Sequence, residues 1–172
     1  MEVSAEMRNP VGREWVSAVT ETNELLSAVM SIMHPATFLT GVECIKGIQK
    51  SHDIAKREHL NELLEVWTSP FIAGSIINNR NTPLHRDNGA SYSAMDTLTS
   101  VGPFQYGRFM VPTLGYQFLF GTGSLFGILG QIVPHAAEAS GERFCLAQYL
   151  RENILSTLGV EEPEWQPFQA CI

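Results

Sequence analysis

The sequence is poor in charge, poor in cysteine and, beyond its first third, nearly free of cations. Charged residues make up 17% of it and hydrophobic residues 44%. That balance excludes an intrinsically disordered chain, and at 172 residues it allows one domain, read over 1–172, with a core of its own. The three cysteines, Cys44, Cys145 and Cys171, are odd in number and far apart. They match no zinc spacing and no disulfide framework, which points to a reducing compartment, nucleus or cytoplasm. Glu2 and Glu6 stand where a secretory signal would carry an apolar core, so none is read there. Lysine ends at Lys56, and after Arg57 the only Lys or Arg residues are Arg80, Arg86, Arg108, Arg143 and Arg151. A net charge of −7 argues against a strong non-specific grip on a phosphate backbone and leaves room for nucleic acid held by a local patch. No charge falls between Phe109 and Ala137, a stretch longer than the ~20 residues that cross a bilayer. Pro112, Gly115, Gly121, Gly123, Gly127, Gly130 and Pro134 break it every few residues, so it reads as short strands and turns, with no membrane association.

What is present divides at Pro70. Residues 1–12 read as frayed, with Pro10 and Gly12 ahead of any periodicity. Trp15, Val19, Thr22, Leu26, Val29 and Met33 then recur at steps of three and four, the apolar stripe of one helix. It stops at His34-Pro35, because the residue before a proline avoids the helical region, and Pro35 can open the next helix. Phe38, Val42 and Ile45 form that helix's buried stripe. Ser51 or Asp53 can cap a third helix running to about Trp67. His34, His52 and His59 read as capping or surface histidines of this helical layer, about residues 13–67. From Pro70 to about 151 the helical period is lost, and strands are expected at about 71–79, 82–87, 92–100, 107–111, 115–120, 123–129, 131–135 and 143–150. The fold class expected is α+β, a helical layer on a jelly-roll sandwich.

The chemistry gathers around Asn78–Asn88. His85-Arg86-Asp87 is an H-x-D triplet after an apolar run, and residues two apart on a strand share a face. Imidazole beside carboxylate, with a second histidine, makes the two-histidine, one-carboxylate set of non-haem Fe(II) oxygenases. His135, near the end of a late strand, can supply that histidine, although alone it reads as a buried core histidine. Alternation along the last strand puts Arg143, Cys145, Ala147 and Tyr149 on one face. A buried arginine there needs an anion, either a dicarboxylate ligand or a neighbouring acid such as Glu142 or Glu138. Asn79, Asn81 and Asn88 flank the triplet, as ligand-orienting groups or as turn chemistry. Asp96 is either a solvated acid or an acceptor for a base amine.

The order of these pieces resembles one family. An apolar strand, Asn-Arg-x-Thr-Pro-x-His-Arg-Asp, short strands, a late Pro-His and a Glu-Arg before a strand ending Tyr-x-Arg are similar to the TET/JBP branch of the 2-oxoglutarate- and Fe(II)-dependent dioxygenases, especially its short fungal members. Trp67-Thr68-Ser69-Pro70-Phe71 adds to the likeness, which spans about residues 30–160. The resemblance implies a double-stranded β-helix, Fe(II) held by His85, Asp87 and His135, and 2-oxoglutarate on the metal with its far carboxylate on Arg143. It implies O2 as oxidant and hydroxylation of the methyl group of 5-methylcytosine or thymine in nucleic acid, with the base taken out of the stack. Asn79 and Cys145 then fall at the co-substrate, and Asn88 and Asp96 at the substrate. Cys145 stands where better-known members place a serine, and a thiol is a weaker hydrogen-bond partner. No DNA-reading module or basic tail accompanies the core, so a protein partner supplying specificity is one expectation. A catalytically silent scaffold, or an oxygenase acting on a protein or small molecule, are the alternatives.

Overall fold

The computed structural model describes residues 4–50 and 58–165. The helical part comprises α1 (Ala5–Arg8), α2 (Pro10–Ala18), α3 (Thr20–Met33), α4 (Pro35–Lys50) and α5 (Glu58–Val66). The strands are β1 (Ala73–Asn78), β2 (Thr82–His85), β3 (Asp96–Val101), β4 (Gln105–Val111), β5 (Tyr116–Leu119), β6 (Ser124–Ile128), β7 (His135–Ser140) and β8 (Phe144–Tyr149), followed by α6 (Glu152–Leu158). They form two four-stranded antiparallel sheets, ordered β1-β8-β3-β6 and β2-β7-β4-β5. This is the jelly roll beside a helical layer that the strand pattern leads one to expect, in the double-stranded β-helix form that the resemblance implies.

Between the sheets lies an apolar core of Leu98, Phe109, Val111, Phe120, Ile128, Ala137 and Cys145. Burying Phe109 and Phe120 completely stabilises the sandwich by about 1.5–3 kcal/mol each. The helices cover the other face of the β1-β8-β3-β6 sheet. Met30 of α3 joins Phe71, Ala94 and Leu150 in a second buried cluster. On the same face Gln148 donates from Nε2 to Asn23 Oδ1 of α3 at 3.0 Å, tying β8 to the helices.

Three expectations are corrected. From Ala5 on, the segment read as frayed is helical but for the cap residue Asn9, and Pro10 opens its second helix because its missing N–H costs nothing at the first position. Asn9 caps that helix, its Oδ1 accepting from the Val11 N–H at 3.0 Å. The single helix expected from Trp15 to Met33 is two, broken at Val19, whose ψ of 13° leaves helical geometry. The strand expected at 131–135 begins instead at His135 and runs to Ser140. Residues before it form a turn in which the Ile132 and Val133 N–H groups both donate to Leu129 C=O, and Pro134 has no N–H to give a ladder. The cap expected at Ser51 or Asp53, and His52, lie outside the described residues. Among the described residues no helix is long and apolar enough to cross a membrane.

His34 is the capping residue expected. It is buried, and its Nδ1 accepts from the Thr37 N–H at 3.1 Å and from the Thr37 hydroxyl at 2.9 Å, opening α4. The same Thr37 Oγ1 accepts from the Met95 N–H at 2.9 Å, which fastens the helix to the start of β3. Burial pushes the imidazole pKa below its ordinary value. A histidine with a depressed folded pKa binds its proton more readily when unfolded. Its contribution is therefore complete above about pH 6.5 and is lost as pH falls from there through the folded pKa. His34→Ala is expected to cost about 1–2 kcal/mol at pH 7.5 by urea denaturation. The variant is also expected to lose less stability than the wild type between pH 7 and pH 5; equal losses would remove His34 as a source of acid sensitivity.

Candidate active site

The site is built by strand register. His85 closes β2 and His135 opens β7, and the two are directly paired across the antiparallel ladder. Their rings lie with centroids 4.4 Å apart. Each imidazole is oriented by carbonyls. His85 Nδ1 faces Pro83 C=O at 2.9 Å and His135 C=O at 3.1 Å, and His135 Nδ1 faces Val133 C=O at 3.0 Å. A carbonyl only accepts, so Nδ1 carries the proton in both rings and the Nε2 lone pairs are left free. Those lone pairs converge on Asp87, just past β2, with His85 Nε2 at 3.2 Å from Oδ1 and His135 Nε2 at 3.5 Å from Oδ2. The donor atoms of all three residues lie within 4.8 Å of one another. Burial pushes the His135 pKa down despite the opposing pull of Val133 C=O and Asp87, which keeps this ring in the neutral form a metal requires. Phe109 stacks on the buried His135 ring at 5.4 Å and backs it from the core side.

The three residues sit on a cavity of about 200 Å³, also lined by Ser75, Asn88, Asp96, Arg143, Cys145, Tyr149 and Arg151. The strand alternation expected for β8 holds, since Arg143, Cys145, Ala147 and Tyr149 all face this cavity. Arg143 is the largest fully buried side chain among the described residues, 2% exposed. Its Nη2 donates to Arg80 C=O at 2.7 Å, while Nη1 is buried without a protein partner. The alternative of a neighbouring acid fails for Glu138, which pairs with Arg108 at 3.8 Å, and no ion pair of Arg143 occurs among the described residues. An orphaned guanidinium N–H in a cavity fits a carboxylate from outside the chain. Cys145 is 3% exposed, and burial pushes its thiol pKa up against the pull of Arg143, so it is a poor nucleophile and an apolar wall.

Asn79 acts at one remove. It is exposed and absent from the cavity wall, and its φ of +48° is a left-handed conformation that asparagine tolerates. Its Oδ1 accepts from the Arg143 N–H at 2.7 Å, and its own N–H donates to Arg143 C=O at 2.8 Å. The structure thus seats it on the Arg143 backbone and not in the cavity. Asn81 likewise ties strands, accepting from the Ala139 N–H at 3.0 Å.

Asp96 is not the solvated acid that its place in the sequence allows. It is 3% exposed, and neither carboxyl oxygen has a hydrogen-bond partner of good geometry among the described residues. Burial and the nearby Asp87 raise its pKa to about 8, against a partial opposing effect of the Gly130 N–H. Sequence reasoning missed Gly130 and Ser75 at this site, since a glycine in a glycine-rich stretch and a lone serine carry no pattern. Tyr149 was legible from alternation, and Arg151 sits at the mouth, its guanidinium 5.3 Å from the centre of the Tyr149 ring.

Comparison with known proteins agrees with this geometry. No curated protein matches the chain. The solved structure of NgTET1 in complex with 5mC DNA superposes with a TM-score of 0.62 at 13% identity, over 98% of this chain. The chain spans 61% of that one, and the likeness establishes the shared fold. The family model for the Tet_JBP oxygenase domain of the 2OGFeDO superfamily matches residues 3–152. With that match over most of its length, and with the His-Asp-His set in place, this chain belongs to the TET/JBP family of 2-oxoglutarate- and Fe(II)-dependent dioxygenases.

Proposed function

We propose that this dioxygenase hydroxylates the methyl group of a methylated pyrimidine, 5-methylcytosine in preference to thymine, presented by nucleic acid as a base turned out of its stack. Family membership brings Fe(II) and 2-oxoglutarate. With these bound, the centre couples oxidation of a C–H bond by O2 to conversion of 2-oxoglutarate into succinate and CO2. The chain's own part is to hold and to exclude. His85, Asp87 and His135 would hold the metal on one face and leave the other open. Arg143 Nη1 would hold the far carboxylate of 2-oxoglutarate, with Asn79 fixing the backbone from which it projects. Cys145 would pack against the co-substrate without adding a strong hydrogen bond.

The observation that carries the choice of base is Asp96. A buried carboxyl on the wall of the cavity, without a protein partner, is costly unless a ligand donor meets it. The exocyclic amine of cytosine is such a donor and favours the ionised form of Asp96, which burial and Asp87 otherwise oppose. Thymine presents a carbonyl at the same place, which an ionised carboxylate repels. The cavity of about 200 Å³ is below the roughly 300–1,000 Å³ of sites that enclose drug-sized ligands. It suits a small dicarboxylate, so a base would enter from the mouth, where Asn88, Arg86 and Arg151 stand. That NgTET1 was solved with 5mC DNA supports the substrate class. The net charge of −7 favours a second reading, a protein or small-molecule substrate, or a partner protein that supplies the grip on nucleic acid.

The deciding experiment incubates the chain with Fe(II), 2-oxoglutarate and oligonucleotides bearing 5-methylcytosine, thymine or neither, and measures succinate together with hydroxymethyl product. Product from 5-methylcytosine with matching succinate supports the proposal; succinate indifferent to all three oligonucleotides refutes it. Asp96→Ala is expected to lower kcat/KM on the 5-methylcytosine substrate ten-fold or more, about 1.4 kcal/mol, and an unchanged value would take Asp96 out of the substrate site. His135→Ala is expected to abolish Fe(II) binding with the circular dichroism of the fold retained. Arg143→Ala is expected to keep iron but raise the 2-oxoglutarate concentration needed for half-maximal chelate absorbance at least ten-fold.

A further inference from the structure

We infer that Gly130 is a positioning residue for the metal-binding carboxylate, its missing side chain being the space in which Asp87 stands. A Cβ built on Gly130 would fall 2.3 Å from Asp87 Oδ2, 3.1 Å from Asp87 Cγ and 2.6 Å from Asp96 Oδ2. No real Cβ approaches an oxygen that closely, so one of the two carboxyl groups would have to move. The backbone does not demand glycine here: φ at Gly130 is outside the left-handed region, unlike that of Gly115, Gly123 or Gly159, where an added Cβ meets nothing. What Gly130 supplies is room, not conformational freedom.

The contact is also a backbone one. The Asp87 N–H donates to Gly130 C=O at 3.0 Å, so main chain and side chain of Asp87 are both registered against this one residue. Gly130 belongs to the turn in which the Ile132 and Val133 N–H groups close on Leu129 C=O. Val133 C=O from that turn accepts the His135 Nδ1 proton. One short turn thus seats two of the three metal donors, Asp87 through Gly130 and His135 through Val133. Of the two carboxyl groups, Asp96 is buried while the Asp87 side chain is 37% exposed, so Asp87 is the one that yields to an added methyl group. A methyl group at position 130 would therefore act on the metal through Asp87.

The test uses the full chain and two readouts. In the first, wild type and Gly130→Ala are titrated anaerobically with Co(II), a spectroscopic stand-in for Fe(II), following the visible ligand-field bands. The variant is expected to bind at least ten-fold more weakly and to give an altered band envelope. In the second, thermal unfolding of the metal-free proteins is compared for wild type, Gly130→Ala, Asp87→Ala and the double variant. Gly130→Ala is expected to lower the midpoint by several degrees in the wild-type background and by less than half as much when Asp87 is already alanine. A merely structural glycine would cost the same in both backgrounds. If Gly130→Ala fails to fold, recovery of a cooperative transition in the double variant supports the inference, and failure of both overturns it. Wild-type Co(II) affinity and spectrum in a folded Gly130→Ala also overturn it. If the wild type itself bound no Co(II), the metal assignment would fall, and the metal-free comparison would still decide the role of Gly130.

Discussion

The structure turns on the pairing of His85 with His135 across the β2–β7 ladder. Because side chains alternate along a strand, a slip of one residue in that register would send one imidazole to the opposite face of the sheet. The pairing also does more than bring two rings together. His135 C=O is one of the two acceptors that hold His85 Nδ1–H, so the backbone of one donor residue sets the tautomer of the other. With both protons fixed on Nδ1, both Nε2 lone pairs aim at the same volume, and Asp87 needs only to extend β2 by two residues to reach it. The rest of the sandwich is the means of holding that register. Phe109 backs the His135 ring, and β4 pins β7 from its other edge.

The second constraint is charge in a small, largely apolar space. The cavity places the Arg143 cation and the carboxyl groups of Asp87 and Asp96 among apolar walls supplied by Ile77, Leu98, Phe109 and Phe120. None of the three is neutralised within the chain in the ordinary way. Arg143 is met by a carbonyl, Asp87 by two imidazoles, and Asp96 by nothing of good geometry. Burial of ionisable groups on these terms is costly in a protein that has nothing to bind. It is the expected state of one that takes up a dication and a dicarboxylate, the two groups its family uses. Unlike a surface patch, these buried deficits are little affected by the negative charge of the chain as a whole, since the screening and self-repulsion that net charge brings act mainly on exposed groups.

The parts of the site that are regular were legible in the sequence. H-x-D after an apolar run and the alternation of Arg143, Cys145, Ala147 and Tyr149 each follow from the two-residue period of a strand, which is a local property. Pro35 as a helix start, and His34 as a cap, are local too. What was not legible depends on contacts between distant segments. β7 begins at His135 and not at residue 131 because Pro134 and the Leu129 turn exclude the earlier residues from the ladder, and composition gives them the look of a strand. Asn79 resembles one more turn asparagine until the Arg143 backbone is seen against its Oδ1. Asp96 follows a loop and opens a strand, a place where an acid is normally solvated. Its burial comes from strand order, with β3 lying between β8 and β6 in the middle of its sheet.

The same geometry bears on where specificity resides. On the proposed assignment, Arg143 would meet the co-substrate and three converging donors the metal, which leaves few buried polar groups in the cavity for anything else. Asp96 and the residues at the mouth are what remain to distinguish one substrate from another. A hydrophobic slot separates substrates that differ by a methyl group by only about 1–3 kcal/mol, whereas a site built to hydrogen-bond a polar group rejects an analogue lacking it by roughly 10⁴–10⁵. A buried, unpartnered carboxyl is a device of the second kind. On the proposed reading, it would make the identity of the base edge, more than the presence of the methyl group, the property that this cavity reads.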